Sequence, residues 1–295
     1  MKNVKTILFT AMASMMLASC GTTSTVPITG RKHNLLVTDA QVLSLSNQQY
    51  SEFMKTAKVS TNATNTAMVK RVGQRLANAV ETYLRNNGMS SEIQNFSWEF
   101  NLVQNKEANA FCMPGGKIVV YEGLLPITQN EASLAIVLGH EIAHAVAKHS
   151  AEQMSKKLRQ QYGTQIGSAV VGTLFGSDAA SLGTAIAQQG FDLANLKYSR
   201  DDETEADHMG LIFAAMAGYD PQVAISFWQR MSAASGSSQS DFLSDHPSDA
   251  KRIAALKQEM PEALKYYAAS GYAKQTKTST TKKTTTKKTS TRKRR

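Results

Sequence analysis

The stretch Leu134-Ala-Ile-Val-Leu-Gly-His140-Glu141-Ile-Ala-His144-Ala-Val146 decides how this chain is read. It is apolar on nearly every side, the pattern of a helix buried all round. At about 100° per residue, His140 and His144 lie one turn apart, roughly 40° from each other on one face. Two imidazoles so placed bind a single Zn²⁺, one per chain. Glu141, on the adjacent edge, reaches the proton of a water held by that ion. Two histidines and a glutamate on a buried face are costly unless a metal satisfies them.

A zinc site of this kind needs a third protein ligand. A longer motif would place a histidine at position 150, but that residue is Ser150, and Ala147 stands where a glycine is expected. His149 follows His144 by five residues, about 140° round a continuous helix, so it is expected to point elsewhere, as a surface or capping histidine. The other source is the acidic stretch 198–210, Tyr-Ser-Arg-Asp-Asp-Glu-Thr-Glu-Ala-Asp-His-Met-Gly. Glu203 and Asp207, four apart, share a helix face, so Glu203 is placed to bind the metal while Asp207 orients a ligand histidine from behind. Glu205 is expected on the opposite, outward side. Asp201 and Asp202 suit a first helical turn, and His208 reads as a helix-surface residue rather than a competing ligand.

Working outward, helical spacing is expected from Asp39 to about Lys58 and from Ala63 to Asn87, the latter ending at Asn86-Asn87-Gly88. Phe96, Trp98, Phe100 and Leu102 alternate with polar residues, which predicts a strand. Ala110–Met113 and Lys117–Tyr121 are further extended segments around Pro114-Gly115-Gly116. The motif helix is expected to run unbroken from Glu131 to about Gln160. Later helices are expected at 201–218, 220–234, 248–259 and 261–269. The segment 163–190, rich in Gly, Ala and Ser, is expected to be a lid over the cleft. The fold class is α+β, mainly helical, with a small sheet beside the motif helix.

Composition limits the partners. The 295 residues carry a formal charge of +10, but residues 274–295 hold ten basic residues and no acidic one. With those ten and Lys2 and Lys5 set aside, 21 basic residues face 23 acidic ones, so the globular part is close to neutral. That gives no footprint for nucleic acid. The Lys/Thr tail over 273–295 is expected to be disordered and to approach anionic surfaces, or simply to solubilise. At the other end, Lys2 and Lys5 precede a short apolar run, Ile7 to Leu17, and then Leu17-Ala18-Ser19-Cys20. This resembles a bacterial lipoprotein signal over 1–19, with lipid on Cys20 and a tether over 20–38 leading to a domain over 39–272. Cys112, the second of two cysteines, then reads as a small buried residue.

These motifs together resemble the HtpX-like and CAAX-prenyl-endopeptidase family of gluzincin zinc metallopeptidases, most similar to its periplasmic lipoprotein members of the β-barrel-assembly-enhancing type. The resemblance rests on Ile28-Thr29-Gly30-Arg31, Asn109-Ala110-Phe111 with Pro114-Gly115-Gly116, Leu138 to His144, Glu203 with Asp207, and His246-Pro247 with Arg252-Ile253. It implies His140, His144 and Glu203 as zinc ligands, Glu141 as general base, and Asp207 and Arg252 behind the ligands. It also implies that His246 lies near the metal, as an oxyanion donor or as a latch on the open metal position. Extended substrate is expected along Asn109, Ala110, Lys117, Ile118 and Val119, with Lys117–Tyr121 as an edge strand. The activity expected is zinc-dependent cleavage of misfolded or unassembled cell-envelope proteins at the periplasmic face of the outer membrane. The alternative is an assembly chaperone of outer-membrane proteins whose zinc site is mostly latched.

Overall fold

The computed structural model describes residues 22–163, 190–234 and 250–272. The signal segment, Cys20, His246, the tail over 273–295 and all but the two ends of the expected lid lie outside the described residues.

Two short strands open the domain, β1 (Thr22–Thr25) and β2 (Lys32–Leu35), paired antiparallel. The tether expected over 20–38 is therefore folded from Thr22 on. Leu35, Leu36 and Val37 are buried, which anchors this hairpin to the body. Its turn holds Ile28 at φ 66° and Gly30 at φ 69°. A β-branched residue in the left-handed region is strained. It is held there by hydrogen bonds from the Val26 N–H to the Arg31 carbonyl and from the Gly30 N–H to the Val26 carbonyl.

Helix α1 (Asp39–Thr56) starts from a capping box between Thr38 and Gln41. Helix α2 (Ala63–Asn86) is capped by the Asn62 side chain, and a single turn, α3 (Ser90–Ile93), follows. Three strands then form one sheet: β3 (Glu99–Val103), β4 (Ala110–Met113) and β5 (Lys117–Tyr121). The order is β3-β5-β4, with β5 parallel to β3 and antiparallel to β4. Lys117–Tyr121 is thus the central strand, not the edge. Its run Ile118-Val119-Val120 is fully buried, the pattern of a strand covered on both faces. The open edge beside the motif helix belongs to β4.

After a turn, α4 (Leu125–Thr128), comes the motif helix α5 (Glu131–Val146), N-capped by Asn130. It does not run on to 160. Lys148 takes φ 59° and starts a new helix, α6 (His149–Tyr162). The Lys148 ammonium pins this break by pairing with Asp39 and Glu92, each at 2.8 Å. Helix α7 (Arg200–Met216) begins at a capping box of Ser199 and Asp202, so Asp202 serves the first turn as expected. Helices α8 (Val223–Ala234) and α9 (Ala250–Ala269) complete the described domain. The two helices expected over 248–259 and 261–269 form one, with Pro261 inside it.

Alternating side chains of β4 and β5 feed two cores. Ala110, Cys112, Ile118 and Val120 join α2, α5, α7 and α8, while Phe111, Met113 and Val119 join the hairpin, α1 and α6. The expected α+β class, mainly helical with small sheets, describes this domain.

Helix α7 packs chiefly on α5. At their crossing, a Cβ added to Gly139 would lie 2.6 Å from the Gly210 carbonyl oxygen, and one added to Gly210 would lie 2.6 Å from the His140 nitrogen. The two backbones therefore touch, and only glycine fits on either side. Gly210→Ala is expected to force the helices apart, lowering the stability measured by urea unfolding by about 1–3 kcal/mol and weakening metal binding. Unchanged values for both would refute this account of the crossing.

Candidate active site

Glu203, Asp207 and Gly210 are spaced four and three apart, so they form one stripe on α7. The glycine brings this stripe against α5, which lays both carboxylates beside the two histidines. His140 Nε2 lies 3.1 Å from His144 Nε2 and 3.5 Å from Glu203 Oε2, and His144 Nε2 lies 3.3 Å from Glu203 Oε1. All three residues are buried. Donor atoms about 2.0–2.1 Å from a tetrahedral zinc stand roughly 3.3 Å from one another. Three convergent donors at that mutual spacing, two imidazoles and one carboxylate, fit zinc well in both number and chemistry.

The electrostatics fit a cation as well. Burial presses the His140 imidazole down, but hydrogen bonds to Asp207 and Glu203 and the Glu203 charge outweigh it and lift the group to about 9. Burial holds His144 well below the ordinary histidine range despite the nearby Glu203 carboxylate. Two carboxylates that draw His140 toward its charged form make this a place suited to a cation.

Asp207 and Arg252 sit behind His140. Asp207 Oδ1 is 2.9 Å from His140 Nδ1, which leaves Nε2 to face the other donors. The Arg252 guanidinium grips the same carboxylate with Nε and Nη2, both at 2.6 Å. Burial alone would raise the Asp207 carboxyl, but the Arg252 charge and the His140 hydrogen bond hold it below its ordinary range. Arg252 also lies over the Trp228 ring, 3.7 Å from its centroid. Trp228, on α8, packs edge-on to His140 at 6.2 Å.

His144 is held differently. Tyr198 stacks on its ring at 4.0 Å, and the Tyr198 hydroxyl meets Ser150 Oγ at 3.0 Å. His144 Nδ1 meets His149 Nδ1 at 2.8 Å, and His149 Nε2 meets Glu205 Oε2 at 3.0 Å. This corrects two expectations. His149 is fully buried, because the break at Lys148 ends the helical phase that would have turned it away. Glu205 does leave the face of Glu203, but that side of α7 is covered by the hairpin, so it is buried too. Burial would raise the Glu205 carboxyl, but hydrogen bonds from His149, Arg31 and Thr29 and the guanidinium charge hold it at about 2. His208 stays at the rim, 3.5 Å from Glu259.

The expected substrate residues divide. Lys117 is buried and paired with Glu99 at 2.6 Å, and with Ile118 and Val119 it belongs to the central strand, whose backbone is paired on both sides. Those three are not on the cleft. Asn109 and Ala110 enter the edge strand β4. The Asn109 carbonyl accepts from the Tyr121 N–H and its side chain caps the Ala110 N–H. Antiparallel alternation then turns the backbone groups of Ala110 and Cys112 toward the open edge. Cys112 is buried, and burial together with the Glu141 charge raises its thiol well above the usual range. Glu141 is itself buried, on the helix that packs against β4.

Tyr198 and Trp228 are not recoverable from sequence spacing, since neither belongs to a motif with a spacing rule. The only local signal is an aromatic residue at the entry to the acidic helix. Replacing Asp207 by Asn is expected to leave the fold intact and weaken metal binding by about 10–100-fold, read by competition with a chromophoric chelator. A folded Asp207→Asn protein with undiminished affinity would show that Asp207 does not support His140.

The sequence model of peptidase family M48 matches residues 63–260. Mitochondrial metalloendopeptidase OMA1 of Arabidopsis thaliana is 39% identical over 180 residues, covering 60% of this chain and 35% of that protein. The mitochondrial metalloendopeptidase OMA1 of Homo sapiens is 31% identical over 245 residues, covering 81% of this chain and 46% of that protein. The β-barrel assembly-enhancing protease of Escherichia coli is 26% identical over 266 residues, 86% of this chain and 51% of that protein. The chain therefore spans from about a third to a half of the length of these relatives. These relatives are OMA1 proteins and, at lower identity, the assembly-enhancing type, rather than the HtpX-like and CAAX-prenyl types that the motifs suggested. With about two thirds of its length under one family model, and a buried His-His-Glu cluster fit for a metal inside that span, the chain belongs to peptidase family M48.

Proposed function

We propose that this chain is a zinc-dependent endopeptidase that cleaves misfolded or unassembled proteins of the cell envelope. The observation that carries the activity is the convergence of His140, His144 and Glu203 beside Glu141 and the open edge of β4. Bound zinc supplies Lewis acidity, polarising a peptide carbonyl and making water more acidic. Glu141 accepts the proton of the attacking water and passes it to the departing amine. The Ala110 carbonyl and the backbone groups of Cys112 align an extended chain by strand addition, a mode that reads little side-chain sequence. That tolerance suits unfolded substrates. His246, outside the described residues, is assigned the steadying of the tetrahedral oxyanion.

The envelope location rests on the N-terminal sequence. Lys2 and Lys5, the short apolar run and Leu17-Ala18-Ser19-Cys20 favour an outer-membrane lipoprotein facing the periplasm. The basic tail adds attraction to anionic surfaces. Among the described residues no helix is long and apolar enough to cross a membrane. The relatives named mitochondrial belong to another compartment, and the leader of this chain is the reason for placing it elsewhere.

Two measurements test this reading. Glu141→Gln is expected to retain fold and metal while chelator-sensitive digestion of an unfolded protein such as casein falls by about 100-fold or more. Wild-type cleavage by that variant would remove Glu141 from the mechanism. Cys20→Ser is expected to move the protein from the membrane to the soluble fraction after a high-salt wash, which strips electrostatic attachment. Retention in the washed membrane would overturn the lipid anchor.

A further inference from the structure

A line of polar contacts runs from the buried metal site to the part-exposed N-terminal hairpin. It starts at His144, passes through His149 to Glu205, and ends on Thr29 and Arg31 in the hairpin turn. Thr29 Oγ1 donates to Glu205 Oε1 at 2.5 Å and Arg31 Nε donates to Glu205 Oε2 at 2.8 Å. Arg31 Nη1 extends the line to Glu152 at 2.7 Å, and Glu152 meets His33 Nδ1 at 2.7 Å. The strained turn at Ile28 aims both Thr29 and Arg31 at the same carboxylate.

The donor and acceptor types fix the protons along this line. An ionised Glu205 only accepts, so His149 carries its hydrogen on Nε2. In that tautomer the His149 Nδ1 accepts, and His144 in turn carries its hydrogen on its own Nδ1. The His144 Nε2 lone pair is thereby left facing His140 and Glu203.

We propose that His149, Glu205 and Arg31 are positioning residues that fix the tautomer and orientation of the metal ligand His144, and that the N-terminal hairpin is thus a working part of the metal site. Thr29 and Arg31 lie outside the stretch 63–260 that the family model covers. His140 is held by a carboxylate in direct contact, whereas His144 reaches its carboxylate through a second histidine and depends on the hairpin to complete the set. The inference rests on the reading of His144 as a metal ligand.

Cobalt(II) is the probe, because its visible absorption reports the geometry of its ligands as well as occupancy. The metal-free full-length protein is titrated with Co²⁺ against a competing chelator. His149→Leu is expected to lose about 10–100-fold in affinity and to change the absorption bands. His149→Asn, whose side-chain oxygen still accepts near the Nδ1 position, is expected to recover most of the loss. Arg31→Gln, which keeps hydrogen-bond donors at a side chain 39% exposed, is expected to shift affinity and bands in the same direction by a smaller factor. A folded His149→Leu protein with wild-type affinity and bands, or equal losses in the Leu and Asn variants, would overturn the positioning role. If His149→Leu does not fold, Arg31→Gln and Glu205→Gln decide: wild-type affinity and bands in both overturn it. Failure of the wild type itself to bind Co²⁺ would instead overturn the metal site.

Discussion

The contact on which this domain depends is the backbone-to-backbone crossing of α5 and α7 at Gly139 and Gly210. Packed helix axes ordinarily stand about 8–10 Å apart, at a distance set by the side chains at the contact. Removing both Cβ atoms at the crossing allows a closer approach. Glu203, two turns before Gly210, then falls beside the His140 and His144 rings. The apolar wrapping of α5, from Leu134 to Ile142, supplies the burial that keeps the helices pressed together.

Burial of so many polar groups sets the second constraint. A lone carboxylate or imidazole inside this core would cost several kcal/mol. The chain answers with connected sets rather than isolated pairs. Arg252 neutralises Asp207, and its flat guanidinium also covers Trp228. Arg31 serves Glu205 and Glu152 together from the other side of α7. Helix α7 thus carries acidic residues on two faces for two purposes. Glu203 and Asp207 face the metal site, while Glu205 ties the helix to α6 and the hairpin. Asp207 meets His140 directly and Glu205 meets His144 through His149, two carboxylates only two residues apart on one helix.

The sheet has a complementary role. Its central strand is wholly committed to pairing and packing, so among the described strands of this sheet β4 is the one that offers an open edge beside Glu141. This separates the part that gives rigidity, Ile118 to Val120, from the part left at the edge, Ala110 and Cys112. An apolar run without alternation, such as Lys117-Ile-Val-Val-Tyr121, signals a strand covered on both faces and therefore an interior place in the sheet.

What the sequence determined by itself was local and periodic. The one-turn spacing of His140 and His144, the four-residue spacing of Glu203 and Asp207, and the alternation around Phe100 follow from helix and strand geometry, which residue spacing encodes directly. The chain of helices was legible for the same reason, and Asp202 was legible as part of a first turn. Tertiary structure decided the rest. The helical phase of His149 depended on one residue, Lys148, whose left-handed conformation is stabilised by Asp39 and Glu92 from distant segments. The burial of Glu205 depended on a hairpin that sequence alone presented as a tether. The edge of the sheet depended on strand order, which side-chain periodicity does not carry. In each case the deciding contact joins residues far apart in the chain, and spacing along a sequence records only the geometry of neighbours.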